Sequence, residues 1–283
     1  MNEITIGSAL KLAELKLSAA GIQNPKLDSK ILLCHVLAIA PGSLFADLGR
    51  KLNIGTSQKF EELVQRRLLR EPVSHLIGQR EFWSLSFEVS ADVLDPRPAS
   101  ETLIQAAVDL MGKKEKGISA LDLGTGSGCL IISLLTELPF ARGVGVDISE
   151  PALIIARKNA EKNLVHNRIK FLKSFWGEDL SEIFEIILCN PPYISENERG
   201  SLEPEVCDHE PECALFAGND GLSAFRQLAP NIYRLLKPEG FAVIECGKGQ
   251  AQSVIEIFSN ADLRHVETRL DLDGIERCCI FGR

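Results

Sequence analysis

No apolar run in this 283-residue chain approaches the roughly 18 residues needed to cross a bilayer. Its start lacks the basic-then-apolar leader and small-residue cleavage site of a secreted protein. Both absences predict a cytoplasmic protein with no membrane contact. Low-complexity segments and internal repeats are missing as well. The eight cysteines, at 34, 129, 189, 207, 213, 246, 278 and 279, form no CxxC pair and no small secreted framework. Most sit inside apolar runs and read as reduced core residues. Cys207 and Cys213 with His209 between them are the one cluster suggestive of a metal, but there is no second pair of ligands, so no metal is expected. A basic excess is absent too. The net charge is −8, and residues 96–283 carry all of it, with 20 Lys+Arg against 28 Asp+Glu, whereas residues 1–95 hold 11 of each.

What is present is the composition of an ordinary globular protein, 45% hydrophobic and 25% charged. The length suits one catalytic domain and a smaller companion. The most informative stretch is Ile186-Ile187-Leu188-Cys189-Asn190-Pro191-Pro192-Tyr193-Ile194. The run from Ile183 to Cys189 has the character of a strand buried on both faces, and the two prolines forbid its continuation past Asn190. In an open α/β sheet, ligands gather beyond the carboxyl ends of the strands, which puts Asn190 to Tyr193 on the rim of a cleft. Prolines bring carbonyls without N–H donors. The Asn190 side-chain oxygen and the Pro191 carbonyl could together accept both hydrogens of an –NH2 group, with Tyr193 packed on a flat group beside them. A strand followed by a proline turn would account for Pro-Pro alone; Asn before it and Tyr after it favour a site.

Helical spacing dominates residues 1–75, with Ile6, Leu10, Ala13 and Leu17 as one stripe and Ile31, Leu32, His35 and Val36 as another. Asp28 or Ser29 is expected to cap the second helix, Pro41-Gly42 to end it, and Thr56 or Ser57 to cap a third that runs to Arg70. Glu71-Pro72 closes the bundle. His35 and His75 read as packed rather than catalytic. From Glu81 the aromatic, partly alternating residues 82–89 predict a short hairpin. Asp95-Pro96-Arg97-Pro98 is a rigid turn, with Ser100 as the expected cap of a helix to Leu110. Arg97 could bind a carboxylate or a carbonyl.

Ala120-Leu121-Asp122-Leu123-Gly124-Thr125-Gly126-Ser127-Gly128 is a strand entering a glycine loop ahead of a helix. Such a loop lets backbone approach a ligand closely. Its spacing is G-x-G-x-G, not the G-x-G-x-x-G of pyrophosphate binding, since Cys129 holds the place of the third glycine. A second strand, Gly143–Asp147, ends in an acid about 20 residues on, placed to accept from both ribose hydroxyls, although Asp147 could also merely cap the next helix. Ser149 is a plausible cap for that helix. Ile169–Ser174 reads as a third strand followed by Trp176, either core or a stacking surface for adenine. Gly218–Leu222 is a turn before an amphipathic helix through Leu236, Pro238-Glu239-Gly240 another turn, and Phe241–Cys246 a buried strand. A helix over 251–258 and a strand near 278–281 complete a βα alternation. Residues 196–212 carry seven acids against Arg199. An acidic rim of this kind argues against a nucleic-acid substrate.

Asn-Pro-Pro-Tyr resembles the signature of enzymes that methylate amino or amide nitrogens with S-adenosylmethionine. The glycine loop resembles the S-adenosylmethionine loop of Rossmann-like methyltransferases, where Asp122 would help hold the methionine end. The helical head, Arg80–Trp83, Pro96–Glu101, the glycine loop, Asn190–Tyr193, Glu210–Leu215 and Asp271–Arg277 occur in the order of the HemK/PrmC family, glutamine methyltransferases of peptide chain release factors. The resemblance implies a class I methyltransferase domain over 97–283, a helical release-factor-binding domain over 1–78, and a β-hairpin linker over 79–96. It implies S-adenosylmethionine as cofactor, held by Gly124, Thr125, Gly126, Ser127, Gly128, Asp147, Trp176 and Asn190. Asn190, Pro191, Pro192 and Tyr193 would hold the glutamine of the Gly-Gly-Gln motif in a release factor, and the enzyme is expected to be a monomer. Phe175 and Ala99 stand where family members often carry acids. An amide nitrogen is a poor nucleophile, so orientation and exclusion of water matter more than a general base, and none is expected. A nucleic-acid amino methyltransferase, or a non-catalytic release-factor binder, would be the alternatives.

Overall fold

The computed structural model describes residues 4–112 and 117–283. They divide into two compact units, one formed by the chain up to Gly78 with Glu203–His209, the other by Gln79–Leu202 with Glu210–Arg283.

The first unit is helical: α1 (Ile6–Ala19), α2 (Pro25–Leu37), α3 (Ile54–Leu68) and α4 (Val73–Ile77). Thr5 caps α1 by accepting from the Ser8 amide, and Ile6, Ala9, Ala13 and Leu17 are the buried stripe, with Ala9 in the place expected of Leu10. The second helix starts three residues before the expected caps, because Pro25 at its first position needs no N–H partner there. Asp28 is therefore inside the first turn, and its carboxylate receives Arg67 Nε at 2.8 Å. The buried face of α2 is Leu32, Leu33 and Cys34, which leaves His35 exposed. Asn53 caps α3 and accepts from Thr56, so Thr56 is a donor in the cap and not its acceptor. Residues 203–209 join this unit through Glu205, which pairs with Arg67 at 2.9 Å and Arg70 at 2.8 Å. The chain beyond the prolines thus serves the helical unit, a connection invisible to local patterning.

The second unit opens with the antiparallel hairpin β1 (Gln79–Phe82) and β2 (Leu85–Glu88). Trp83 and Ser84 both take positive φ to make its tight turn, and the Trp83 amide donates to the Glu101 carboxylate at 2.8 Å. Then come α5 (Glu101–Met111), β3 (Ser119–Leu123), α6 (Cys129–Glu137), β4 (Arg142–Asp147), α7 (Glu150–Lys162), β5 (Ile169–Lys173) and β6 (Phe184–Cys189). A helix, Ser223–Leu235, precedes β7 (Leu236–Glu245); another, Ala251–Ser259, precedes β8 (Arg264–Leu270) and β9 (Glu276–Gly282). The seven-stranded sheet has the order β5-β4-β3-β6-β7-β9-β8, parallel except where β9 pairs antiparallel with β7 and β8.

Successive residues of β6 feed opposite faces, as the pleat requires. Ile186 and Leu188 enter a core with α5, α6 and the hairpin, whereas Ile187 and Cys189 enter one built on the two C-terminal helices. Burial on both faces is why this strand is apolar throughout. Order reverses between β3 and β6: from β3 the chain steps outward through β4 and β5, and from β6 the other way through β7. Ligands of doubly wound sheets bind at such a switch point. One strand expectation changes, and one strand is added. Pro238-Glu239-Gly240 is no turn but part of β7, where the pairing jumps from Phe184↔Leu236 to Ile186↔Phe241 and absorbs the proline in a bulge. The strand β8, Arg-His-Val-Glu-Thr-Arg-Leu, carries no apolar run because it is the sheet edge.

Candidate active site

Backbone conformation explains the glycines. Gly124, Gly126 and Gly128 all adopt left-handed φ, at 73°, 52° and 81°. A Cβ on Gly124 would lie 3.2 Å from the Trp176 ring, and one on Gly128 would lie 2.9 Å from Ile132 Cδ1. Nothing comes within 4 Å of a Cβ built on Gly126, so the middle of the loop faces open space. The loop is held from behind. The amides of Gly124 and Thr125 both donate to the Val146 carbonyl at 2.9 Å, and Thr125 Oγ1 donates to Asp122 Oδ2 at 2.7 Å. The fully buried Asn159 side chain donates to the Ser127 carbonyl at 2.9 Å and brackets the Glu88 peptide of the hairpin.

Asp147 ends β4 with its carboxylate between two amides: Oδ2 accepts from Gly126 and Oδ1 from Ser149, both at 2.9 Å. Ser149 caps α7 by accepting from Ala152. Burial raises the Asp147 pKa against the pull of these amides. Asp122 lies deeper, with no exposure. Burial pushes its carboxyl up to about 7, with the Asp147 charge adding to the shift and Thr125 opposing it. Its Oδ1 has no hydrogen-bond partner.

At the end of β6, Asn190 Nδ2 donates to Ser100 Oγ at 3.2 Å, and no donor among the described residues engages Asn190 Oδ1. Ser100 occupies the N-cap position of α5 as expected, but its side chain makes no cap bond. Its hydroxyl instead accepts from Asn190. Tyr193 points away into the core of the C-terminal helices, where its hydroxyl donates to Glu245 Oε1 at 3.2 Å. Gln250 Nε2 donates to the Tyr193 carbonyl at 2.9 Å, and Gly221 comes so close that a Cβ there would lie 2.4 Å from that oxygen. The backbone after the prolines is thus fixed.

A cleft of about 950 Å³, open mouth included, lies over the carboxyl ends of β3, β4 and β6. It gathers Gly124, Thr125, Gly126, Ser127, Asp147, Trp176, Asn190 and Pro192 of the expected residues. Gly128, Pro191 and Tyr193 are not on its wall: Gly128 packs under the loop, Pro191 is buried, and Tyr193 lies behind. Trp176 lines the cleft and also packs on the core behind it. It holds φ at 48° and donates from Nε1 to Gln227 at 3.2 Å. Phe175 also lines the cleft, with its ring 5.9 Å from that of Trp176. Reading the sequence missed the Ser100 contact with Asn190, the Glu245 contact with Tyr193 and the wall made by Pro211, Cys213 and Ala214. A carboxylate at the end of an apolar strand was the one available signal for Glu245.

Arg97 binds a carboxylate: its Nη2 donates to both Glu210 oxygens, at 2.6 and 2.7 Å. Glu210 is buried, and desolvation outweighs the Arg97 charge, with Asp95 adding to the upward shift, so its carboxyl sits at about 7 against an ordinary 4.5. Below pH 4.5 the group is protonated both folded and unfolded. Between 4.5 and 7 the unfolded chain releases a proton that the folded one keeps, so folding loses stability as pH rises; above 7 the loss is complete. The cost is about 3 kcal/mol. Glu210→Gln should remove that slope, and urea unfolding at pH 5 and pH 8 would read it as a smaller pH difference than in the wild type. Parallel behaviour of the two proteins would refute it.

The seven acids of 196–212 carry less free charge than their number implies. Glu205 and Glu210 are paired as described, and Arg199 pairs with Glu196 at 3.2 Å and Glu212 at 2.6 Å. Among the described residues no helix is long and apolar enough to cross a membrane, and no cluster of His, Cys, Asp and Glu is gathered for a metal.

Two family models match the chain, the PrmC N-terminal domain over residues 8–78 and a methyltransferase domain over 114–268. The release factor glutamine methyltransferase of Rhodospirillum rubrum is 37% identical over 99% of this chain and 86% of its own length. That of Cereibacter sphaeroides is 39% identical over 95% of each. Among solved structures, the hMettl16 catalytic domain in complex with MAT2A 3'UTR hairpin 6 superposes with a TM-score of 0.57 at 18% identity, over 78% of this chain and 82% of that one. A methyltransferase from Pyrococcus furiosus gives 0.51 at 17% identity, over 77% and 98%. These two share the Rossmann-like fold. With relatives this similar along nearly its whole length, the chain belongs to the release factor glutamine methyltransferase family.

Proposed function

We propose that this protein transfers a methyl group from S-adenosylmethionine to the side-chain amide nitrogen of the glutamine in the Gly-Gly-Gln motif of peptide chain release factors. The observation that carries the reading is the Asn190 amide, whose NH2 end is committed to Ser100 and whose oxygen is left for a ligand at the cleft. Only an acceptor edge can hold a carboxamide NH2 with its nitrogen aimed.

The residues present fit the cofactor. The open face over Gly126 admits close approach, the orphaned Asp122 Oδ1 can take a hydrogen bond or, charged, an ammonium, and Asp147 has lone pairs left for hydroxyls. S-adenosylmethionine, when bound, supplies an electrophilic methyl on a sulfonium. The protein's part is to orient and shield. Gly124 to Ser127 and Asp147 would hold the cofactor, and Trp176 would cover its flat base. Asn190 Oδ1 and the Pro191 carbonyl would accept from the glutamine NH2 and stabilise the positive charge that grows on nitrogen. Tyr193, with its hydroxyl tied to Glu245, would brace this edge from behind.

Residues 1–78 serve as the release-factor-binding domain in this reading, 79–96 as a hairpin linker and 97–283 as the catalytic domain of a cytoplasmic monomer. Labelled methyl from S-adenosylmethionine should reach purified release factor, and should fail to reach the same factor with its motif glutamine changed or DNA. Labelling of DNA, or of the altered factor, would overturn the proposal.

A further inference from the structure

The switch point divides the carboxyl-end rim of the sheet. On one side the ends of β3, β4 and β5 carry the glycine loop, Asp147 and Trp176, the ground assigned above to the cofactor. A protein that inserts a glutamine at Asn190 rests on the other side, over β7, β9 and β8. Neighbouring strands lie about 5 Å apart, so the ends of these three fall roughly 5, 10 and 15 Å from that of β6. A protein interface of ordinary size covers about 800 Å² on each partner, a disc roughly 16 Å in radius. All three strand ends lie beneath it.

One turn stands up from this strip. Asn190, Glu245 and Cys278 are level across the sheet, because Cys189 pairs with Ile244 and Glu245 with Cys278. Residues Asp271 to Ile275 join β8 to β9 past the Leu270↔Glu276 pair, and so rise roughly 10 Å beyond the level of Asn190. The turn is locked. Asp271 Oδ1 accepts from the amides of Asp273 and Ile275, both at 3.0 Å, and the Asp271 amide donates to the Ile275 carbonyl at 2.9 Å. Gly274 closes it with a left-handed φ of 76°. Arg277 Nε donates to Asp271 Oδ2 at 3.2 Å and its Nη1 to the Cys246 carbonyl at 3.1 Å, which fastens the turn to the end of β7. At the tip Leu272 is fully exposed. A lone exposed leucine on a protein surface means little. Held out on a rigid turn beside the site, it costs little further ordering when a partner covers it, the condition under which buried area becomes affinity.

We propose that the turn from Asp271 to Ile275 is a docking post for the protein substrate, with Leu272 entering an apolar depression of the release factor beside its glutamine loop. The inference deepens the methyltransferase reading and rests on it for the identity of the partner. The post grips the body of the substrate and stands away from the reacting amide, so its contribution is to binding and not to the chemical step. A nucleic acid would have no use for an apolar tip there, since its phosphates are met by Lys and Arg.

The experiment compares wild type, Leu272→Asp and Leu272→Met, first in affinity for labelled release factor by fluorescence anisotropy with S-adenosylhomocysteine present, then in steady-state methyl transfer. Leu272 supports nothing in the fold, so both variants should bind S-adenosylmethionine with the wild-type Kd. Leu272→Asp should raise the Kd and the KM for release factor about 10- to 100-fold, the range set by withdrawing a leucine side chain from water. Its kcat should stay within about twofold of wild type. Leu272→Met keeps an apolar tip and should bind release factor within about threefold of wild type. An unchanged Kd and KM in Leu272→Asp, a loss confined to kcat, or an equal loss in Leu272→Met would overturn the docking post. If the wild type methylates release factor and Leu272→Asp does so with the same KM, only the post falls. If the wild type binds release factor through Leu272 yet transfers no methyl, the methyltransferase reading falls and the post stands; a wild type that binds no release factor sinks both.

Discussion

Asn190→Ala will lower methyl transfer by about 10²- to 10³-fold, the range seen when one preorganised group facing developing charge is removed, while S-adenosylmethionine still binds, more weakly. The amide lone pair of glutamine is delocalised, so its nitrogen attacks only when held in line and when the charge it acquires meets an acceptor. Asn190 Oδ1 is the one side-chain acceptor on this edge whose partner is not already supplied by the protein. Truncation removes it and also strips Ser100 of its donor. The strand that leads into Asn190 keeps its place, because Ile186 to Cys189 are buried on both faces whichever side chain stands at position 190. Single-turnover transfer of labelled methyl separates the two effects from a binding isotherm for the cofactor. A variant with unimpaired turnover would remove Asn190 from the mechanism.

Much of this arrangement could be read from the chain because its signals are local. The glycine loop needs positive φ at alternate residues, and only glycine takes that conformation freely. A strand buried on both faces shows as an unbroken apolar run, and Pro191-Pro192 must end it. The features that local patterning hides depend on partners far along the chain. Ser100 comes after two prolines and precedes a helix, so it has every local mark of a cap, yet its hydroxyl is taken by Asn190, 90 residues away. Glu205 sits in an acidic stretch that looks solvated, but two arginines of the helical unit hold it. Pro238 locally marks a turn, and a bulge opposite Glu185 admits it to the strand. The edge strand β8 has no apolar run to show, because among the described residues nothing pairs with its outer side.

Asp147→Ala should weaken S-adenosylmethionine binding about 100-fold, the sum of what a charged acceptor gives to hydroxyls and what it gives to the loop. The carboxylate is the peg on which the loop hangs: Gly126 has its amide on Oδ2, and Ser149, which starts the next helix, has its own on Oδ1. Asp147→Asn should be nearly as damaging, although it is isosteric. A carboxamide has one acceptor, so its NH2 would have to face one of the two amide N–H groups, donor against donor. The middle of the loop would lift where the open face over Gly126 receives the ligand. Acid should imitate the substitution. Burial raises the pKa of Asp147, so on lowering the pH the wild type should lose cofactor affinity before an exposed aspartate would protonate. Calorimetric titration of wild type and both variants between pH 5 and pH 8 tests the three expectations together. If Asp147→Asn binds S-adenosylmethionine as tightly as the wild type, the two-acceptor requirement fails and Asp147 is no longer the peg of the loop.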